Sequence, residues 1–532
     1  MANATRTRII DLSKPYATDL SPQEREISYL ARANNVIFEV SRAVHKVGGG
    51  TRLNSTALTG TPSVLGQFDY WKAGTSGSFA QRYVVTTSDS KVYQEDTGTP
   101  GTFNDITGAA TIGANAIPNF VLARDTLGIL WSDASTPLQW AQSDNVSTWT
   151  NAPAGRCGCY HKGRVWIGGT NANPSRASYS AYRSFTDFTG VDAGAIEDAF
   201  NPDDGDRIIG LASYKGALIV FKGPNVGSIY VVYGSSPEGE DGFHVEPLVK
   251  GIPLQSPNSL VAIGDDLFFM SNRGIHSLSA VAAHGDFQED DLTRYLKGFF
   301  RDTINITVLN KVWAQNYAQK GCALWTLTQN GSSSPDIILG LSYVRPDEGL
   351  KPFTWTLTSC ASLGIRIHPT TKVREIVAGT SGGFLVRMDQ SGRGMPASTA
   401  YTARVTTPSI LMGDADAVGQ PRVDQVVTLN RLWLRRLSSG DYDTTLSLTR
   451  DTESPETYTF NMGSAGFLLD TSVLDVDSLT SASMIVDAAD LVGECRSVIL
   501  DFQQGGYLED MNLFECGIEY TPSAAHQGMS IP

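Results

Sequence analysis

Three groups of carboxylates are the residues of this chain whose types and spacing could do chemistry. FNPDDGDR holds Asp203, Asp204 and Asp206, SPEGEDGF holds Glu238, Glu240 and Asp241, and MGDADAV holds Asp414 and Asp416. Paired carboxylates can act as general acid and base on a glycosidic bond, and clustered ones can hold Ca²⁺. All three groups sit in glycine-containing turn contexts, where the plain reading is a solvated loop and the main functional reading is the charged rim of a channel. FNPDDGDRIIGL lacks the Glu that a helix-loop-helix Ca²⁺ site requires at its twelfth position. The eight acids are therefore carried as candidate channel-lining groups, and no catalytic, cofactor-binding or metal-binding residue is assigned.

The remaining reactive residue types form no constellation. The histidines at 45, 161, 244, 276, 284, 368 and 526 are scattered. Cys157 and Cys159 would share one face of a strand, but no second pair stands at zinc spacing, so they read as buried free thiols. No phosphate-binding loop, His-Glu-x-x-His helix or Gly-x-Ser-x-Gly elbow occurs. Asp144-Asn145-Val146-Ser147-Thr148-Trp149 resembles the Asp box of sialidase-type propellers, with Gln142 in place of its Ser and Val146 in place of its Gly. That motif is a structural turn, so it supports a propeller and not a glycosidase. The expectation is a protein that is not an enzyme and carries no cofactor.

A recurring module spans residues 68 to 392. Hydrophobic hairpin cores read QRYVVTTSDSKVYQ, LGILWSDASTPLQWAQ, GRVWIGGT, GALIVFKGPNVGSIYVV, DDLFFMSNRGIHSL, CALWTLTQNG and EIVAGTSGGFLVRM. Aromatic closing strands follow six of them, centred on Phe103, Trp149, Phe188, Phe243, Phe287 and Phe353, at spacings of 46, 39, 55, 44 and 66. These bracket the length of a propeller blade. The fold class is all-β: a propeller of six to seven blades with a helix-and-strand leader and a C-terminal β-sandwich.

Residues 1–66 form the leader. Ser21-Pro22-Gln23-Glu24 is a capping box and predicts a helix over 22–33. NNVIFEVSRAVHKVGGGTRLN, residues 34–54, alternates like a strand, breaks at Gly48-Gly49-Gly50 and resumes. Such a strand can join the last blade and close the ring, because closure removes exposed sheet edges. Within the propeller platform, 67–395, an insertion helix is expected after Asp290-Asp291, with Tyr295, Leu296, Phe299 and Phe300 at helical spacing. From about residue 396, seven alternating segments over roughly 120 residues predict the sandwich, followed by a loose tail from Ser523 to Pro532.

The chain of 532 residues, 41% hydrophobic and 18% charged, has the make-up of a folded protein with two or three domains. It contains no apolar run long enough to cross a bilayer and no apolar signal core at its start. A formal charge of −14 argues against gripping phosphates and fits a wall that lets nucleic acid pass.

With the leader RANNVIFEVSRAVHKVGGGTRLN and modules such as GRVWIGGTNANPSRASYSAYRSFTDFTG and DRIIGLASYKGALIVFKGPNVGSIY, this order of parts resembles the tail nozzle and tail-hub proteins of short-tailed bacteriophages. The carrying residues are the hairpin GALIVFK with its nearby aromatic strand, the acidic GDRIIGL turn before it, and SYSAYRSFTDF. The resemblance implies a virion protein, assembled in the host cytoplasm, of which six copies ring a channel that retains packaged DNA and passes it at ejection without reading its sequence. It also implies tail adaptor or head-to-tail connector proteins and a tail fibre or spike as partners. The chain is shorter than the longer nozzles of this family, which leaves fibre-docking additions in doubt. The alternatives are a carbohydrate-active propeller, which needs converging carboxylates on one face, a receptor-binding propeller, and a cellular protein-interaction propeller, which would be monomeric with an exposed apolar or charged patch.

Overall fold

The computed structural model describes residues 5–19, 29–73, 79–141, 145–284, 292–356, 359–392, 394–396, 399–413, 425–437, 440–463 and 484–523. Alternating β-branched and aromatic residues form antiparallel strands, and short turns with positive φ fold them into hairpins. In blades 2, 3 and 4 the turns are Arg124-Asp125, Lys162-Gly163 and Lys215-Gly216, with both residues of each pair at positive φ. That is the hairpin geometry whose twist matches the strands it joins.

Six small sheets stand as propeller blades. Blades 1 to 4 each have four strands, over 64–105, 118–148, 157–196 and 207–250, and blade 5 has three, over 261–277. The closing blade comprises Ser362–Ile367, Arg374–Gly379, Leu385–Gln390 and a leader strand. Between blade 5 and the closing blade, the four strands of 314–355 take a place in the ring while belonging to a ten-stranded sheet. All seven hairpin cores fall on blade or ring strands. Phe103 opens the fourth strand of blade 1, Trp149 follows Ser147–Thr148, Phe243 precedes His244–Lys250, and Phe353 lies in Lys351–Trp355. Phe188 does not close blade 3: the closing strand there is Gly194–Ile196, and Phe188 instead packs edge-on to Trp149. Phe287 lies outside the described residues.

The leader supplies strands β1 (Arg6–Asp11), β2 (Arg32–Asn34), β3 (Val36–Phe38), β4 (Val44–Lys46) and β5 (Gly49–Arg52). β5 pairs antiparallel with Leu385–Gln390 and completes the closing blade, as expected. The expected helix over 22–33 is not helical where it is described: Leu30 bridges to Tyr16 and β2 is extended, while residues 20–28 lie outside the described residues. The break in 34–54 also moves. The chain turns at Glu39–Ala43, and Gly49 and Gly50 lie inside β5. A Cβ on Gly49 would sit 2.1 Å from the Gly394 carbonyl oxygen, so the glycines mark a close backbone approach. The insertion helix is Lys297–Thr303 behind a short turn at Arg294–Leu296, and Leu296, Phe299 and Phe300 are buried; Asp290 and Asp291 are not described.

Two sheets form the C-terminal sandwich. One carries β1, β3 and β4 beside Asn512–Pro522, Val427–Leu437 and Met484–Asp490. The other carries β2, Ala403–Thr406, Ser497–Gln504, Asp443–Arg450 and Glu456–Asn461. Leu432, Leu434, Leu448, Leu500, Phe502 and Ile518 meet between them in one apolar core. The second sheet is continuous with the ring, because β2 lies between Lys351–Trp355, to which it is parallel, and Ala403–Thr406. Propeller and sandwich therefore share one ten-stranded sheet.

Gly49→Val forces β5 off its partner and is expected to cost about 1–3 kcal/mol in denaturant titration, whereas Gly382→Ala, which meets open space, changes little. Equal effects of the two would contradict the close approach. Trp149 is buried, stacks on Phe185 with ring centres 4.3 Å apart, and donates its indole N–H to the Phe185 carbonyl. Trp149→Ala is expected to cost about 3–5 kcal/mol by the same titration.

Candidate functional site

The first carboxylate group is mostly consumed inside blade 4. Lys222, in the apolar strand Ala217–Gly223, is fully buried. A buried ammonium must find acceptors or lose its charge. Its Nζ donates to Asp204 Oδ1 at 2.6 Å and Oδ2 at 2.7 Å, and to the Phe200 and Asn201 carbonyls at 2.8 Å each. Asp206 is buried and accepts the backbone N–H groups of Asn225, Val226 and Gly227 at 2.9, 3.0 and 2.7 Å. Of this group only Asp203 stands exposed to solvent. Asp204 and Asp206 thus hold the entry of blade 4 to its 223–228 loop.

Glu238, Glu240 and Asp241 are all exposed, in the turn between Ser228–Tyr233 and His244–Lys250. Asp241 accepts a hydrogen bond from Ser235 Oγ. Strand direction decides how the two groups relate. Residues 203–206 enter the first strand of blade 4 at the end where its 223–228 loop lies, and 238–241 lie one strand length away at the other end. These two groups cannot converge on one substrate. Asp414 and Asp416 lie outside the described residues.

The propeller axis is bridged by its own side chains. Phe68 of blade 1 stacks on Phe120 of blade 2 with centroids 5.3 Å apart, and Phe120 meets Trp313, from the far side of the ring, at 6.4 Å. Asn119 donates to Asn258 Oδ1 at 3.1 Å, and Asn258 Nδ2 donates to the Pro118 carbonyl at 2.8 Å, which joins blade 2 to the entry of blade 5. The plug was not anticipated from the sequence. Phe68, Asn119 and Phe120 lie within first strands, and Asn258 and Trp313 just ahead of theirs.

A buried polar network lies where blade 1 meets the closing blade. Arg366 forks onto Glu95 at 2.8 and 2.7 Å and reaches Glu375 at 2.8 Å. Gln67 Nε2 donates to Ser362 Oγ and to the Val377 carbonyl, and Tyr83 donates to Gln67 Oε1. A second hub joins the leader turn to the ring: Glu348 accepts from Arg42, Arg345 and Lys351, the last two at 2.6 Å. Cys157 and Cys159 are free, and burial raises both thiols, Cys157 to about 12. A thiol held protonated is a poor nucleophile and a poor metal ligand. His161, buried against Ser213, is lowered to about 4 by desolvation and stays neutral. Among the described residues, no cluster of three or more His, Cys, Asp or Glu could hold a metal ion.

No protein-family model matches the chain, and no curated protein matches it. Among solved structures it is similar to YCF48 bound to D1 peptide, at 11% identity and a TM-score of 0.36, covering 65% of this chain and 97% of that one. It is also similar to the exo-β-1,3-galactanase of Phanerochaete chrysosporium with β-1,3-galactotriose, at 8% identity and a TM-score of 0.25, covering 85% and 99%. At these levels neither likeness assigns a function.

The Glu348 hub makes a pH-dependent prediction. Hydrogen bonding from Lys351 above all, opposed by burial and helped by Arg345 and Arg42, lowers its carboxyl from 4.5 to about 2. The folded form therefore holds the proton less tightly than the unfolded chain, so the stability Glu348 contributes is complete above pH 4.5 and vanishes as pH falls toward 2. Glu348→Gln should cost about 1 kcal/mol at neutral pH, since the hub is partly solvated. The cost should shrink toward zero in acid, and a pH-independent difference in unfolding titrations would contradict the hub.

Proposed function

We propose that this chain is a structural virion protein, a tail nozzle of the short-tailed bacteriophage type. In this reading six copies stand side by side around a lumen that retains packaged DNA and passes it during ejection, with adaptor and fibre or spike proteins at its ends. The reading rests on the sequence resemblance and on one structural observation: a ten-stranded sheet runs from the propeller into the sandwich and joins them by hydrogen bonds. A wall under load from packed DNA needs domains joined in this way, and a propeller is a platform whose function lies in what surrounds it. The plugged axis is consistent with this, because it leaves only the space between copies for a lumen. Six copies would carry a formal −84, six times −14, which disfavours adhesion of a polyanion.

Electron microscopy of the purified chain and of particles tests the reading: a six-fold ring at the tail supports it, and absence of the chain from virions overturns it. Lumen charge is tested separately. Asp204 and Asp206 are unsuited to charge reversal, since losing them strands Lys222 and three backbone N–H groups. Asp203→Lys alone, and Glu238→Lys with Glu240→Lys and Asp241→Lys, leave the fold intact. If either loop lines the lumen, particles assemble but eject DNA more slowly, and added salt lifts the delay. Unchanged ejection kinetics in both variants would remove the support for acidic lining by these two loops.

A further inference from the structure

The outer face of the sandwich sheet built from β1, Asn512–Pro522, Val427–Leu437 and Met484–Asp490 is self-complementary. An apolar row crosses it in strict register: Ala488 stands opposite Trp433, Trp433 opposite Gly517, and Gly517 opposite Ile9. The Trp433 indole lies flat over Gly517, where a Cβ would come within 2.2 Å of the ring. Ile9 is 56% exposed and the neighbouring Val486 61%, so large apolar side chains face solvent on a face that also bears a groove of about 660 Å³ beside Trp433. On either side of the row, Arg431 stands between Glu519 and the exposed Asp490, and Arg435 between Glu515 and Val486. Arg435 and Glu515 are paired at 3.0 Å. Among the described residues, Arg431 and Glu519 make no ion pair.

We propose that this face is a two-fold contact between two copies of the chain. A two-fold axis parallel to the strands, above the line between Val427–Leu437 and Asn512–Pro522, carries each strand over the other at unchanged height. One copy's Arg431 then lies over its partner's glutamate at 519, one copy's Arg435 over the glutamate at 515, and the two indoles meet over the glycines. An isologous interface demands such self-matching, and the arrangement supplies it in the apolar row and at the two arginine–glutamate positions, while at the rim Asp490 falls over its partner's threonine at 7 and Val486 over its partner's aspartate at 11. A small rotation of the axis gives the usual angle of aligned sheet packing without breaking the pairing. The contact belongs to the free chain and does not depend on the tail reading.

Sedimentation velocity on the full chain tests it. The wild type is expected to dimerise within concentrations up to about 100 μM, the range open to a contact of ordinary size. Arg431→Glu places two glutamates face to face, and Glu519→Arg places two arginines face to face. Each variant alone should weaken dimerisation about 100-fold, as like charges brought together do. Mixed in equal amounts the two variants should dimerise as the wild type does, because in the mixed pair both contacts are again of opposite sign. That rescue also shows that neither variant has misfolded. A wild type that stays monomeric, single variants that dimerise normally, or a mixture that fails to recover overturns the proposal.

Discussion

A ring of sheets has one seam, and the rest of this structure depends on how that seam is held. The first blade begins at Val64 and the closing blade ends its own hairpin at Gln390, so blade and chain order alone would leave a sheet edge open. β5 covers that edge. Asn54 fixes its far end by donating to the Gly383 carbonyl and accepting from the Leu385 N–H, while the Gly49 and Gly50 N–H groups reach the Gly392 and Gly394 carbonyls. Across the seam the fork of Arg366 onto Glu95 ties blade 1 to the closing blade. A buried ion pair adds less net stability than an apolar contact of equal size, but it tolerates no misalignment. The same leader also enters both sheets of the sandwich, so one segment both closes the ring and completes the sandwich.

The charges divide along similar lines. Lys222, Arg366 and Lys46 are buried cations, each satisfied by acceptors from segments distant in sequence or across a loop. The acids that meet them act as internal fastenings. What remains for solvent in the described carboxylate groups is Asp203 at one end of blade 4 and the 238–241 turn at the other. A carbohydrate-cleaving pair needs two carboxylates a few ångströms apart around a sugar ring, and Asp203 cannot form one with the 238–241 turn, a strand length away.

Much of the fold was legible because its signals are local. Hairpin cores such as GALIVFKGPNVGSIYVV carry two strands and their turn within one short window, and all seven segments assigned to the sandwich became strands. Non-local pairing was only partly legible. The role of β5 followed from the need to close a ring, but the placing of β1, β2 and β4 in the sandwich, with β3 carried by β4, depends on partners more than 300 residues away, which leave no mark on local periodicity. Gly48-Gly49-Gly50 looked like a break because glycine is read as flexibility, whereas here it answers to crowding by the 390–394 backbone. The acidic turn at 203–206 looked solvated because its buried partner, Lys222, comes from the next strand hairpin. The axial plug and the Trp433 face arise only once strands from different modules are set side by side.

The central claim, that the leader is an integral part of the ring and the sandwich, is tested most directly by cutting it free. Thr59, Gly60 and Thr61 form an exposed turn just past β5, and a protease site placed there would sever the leader without touching a strand. After cleavage the two pieces should co-purify and unfold together in a single transition. A leader that falls away, leaving a remainder that melts as the intact chain does, would contradict the account.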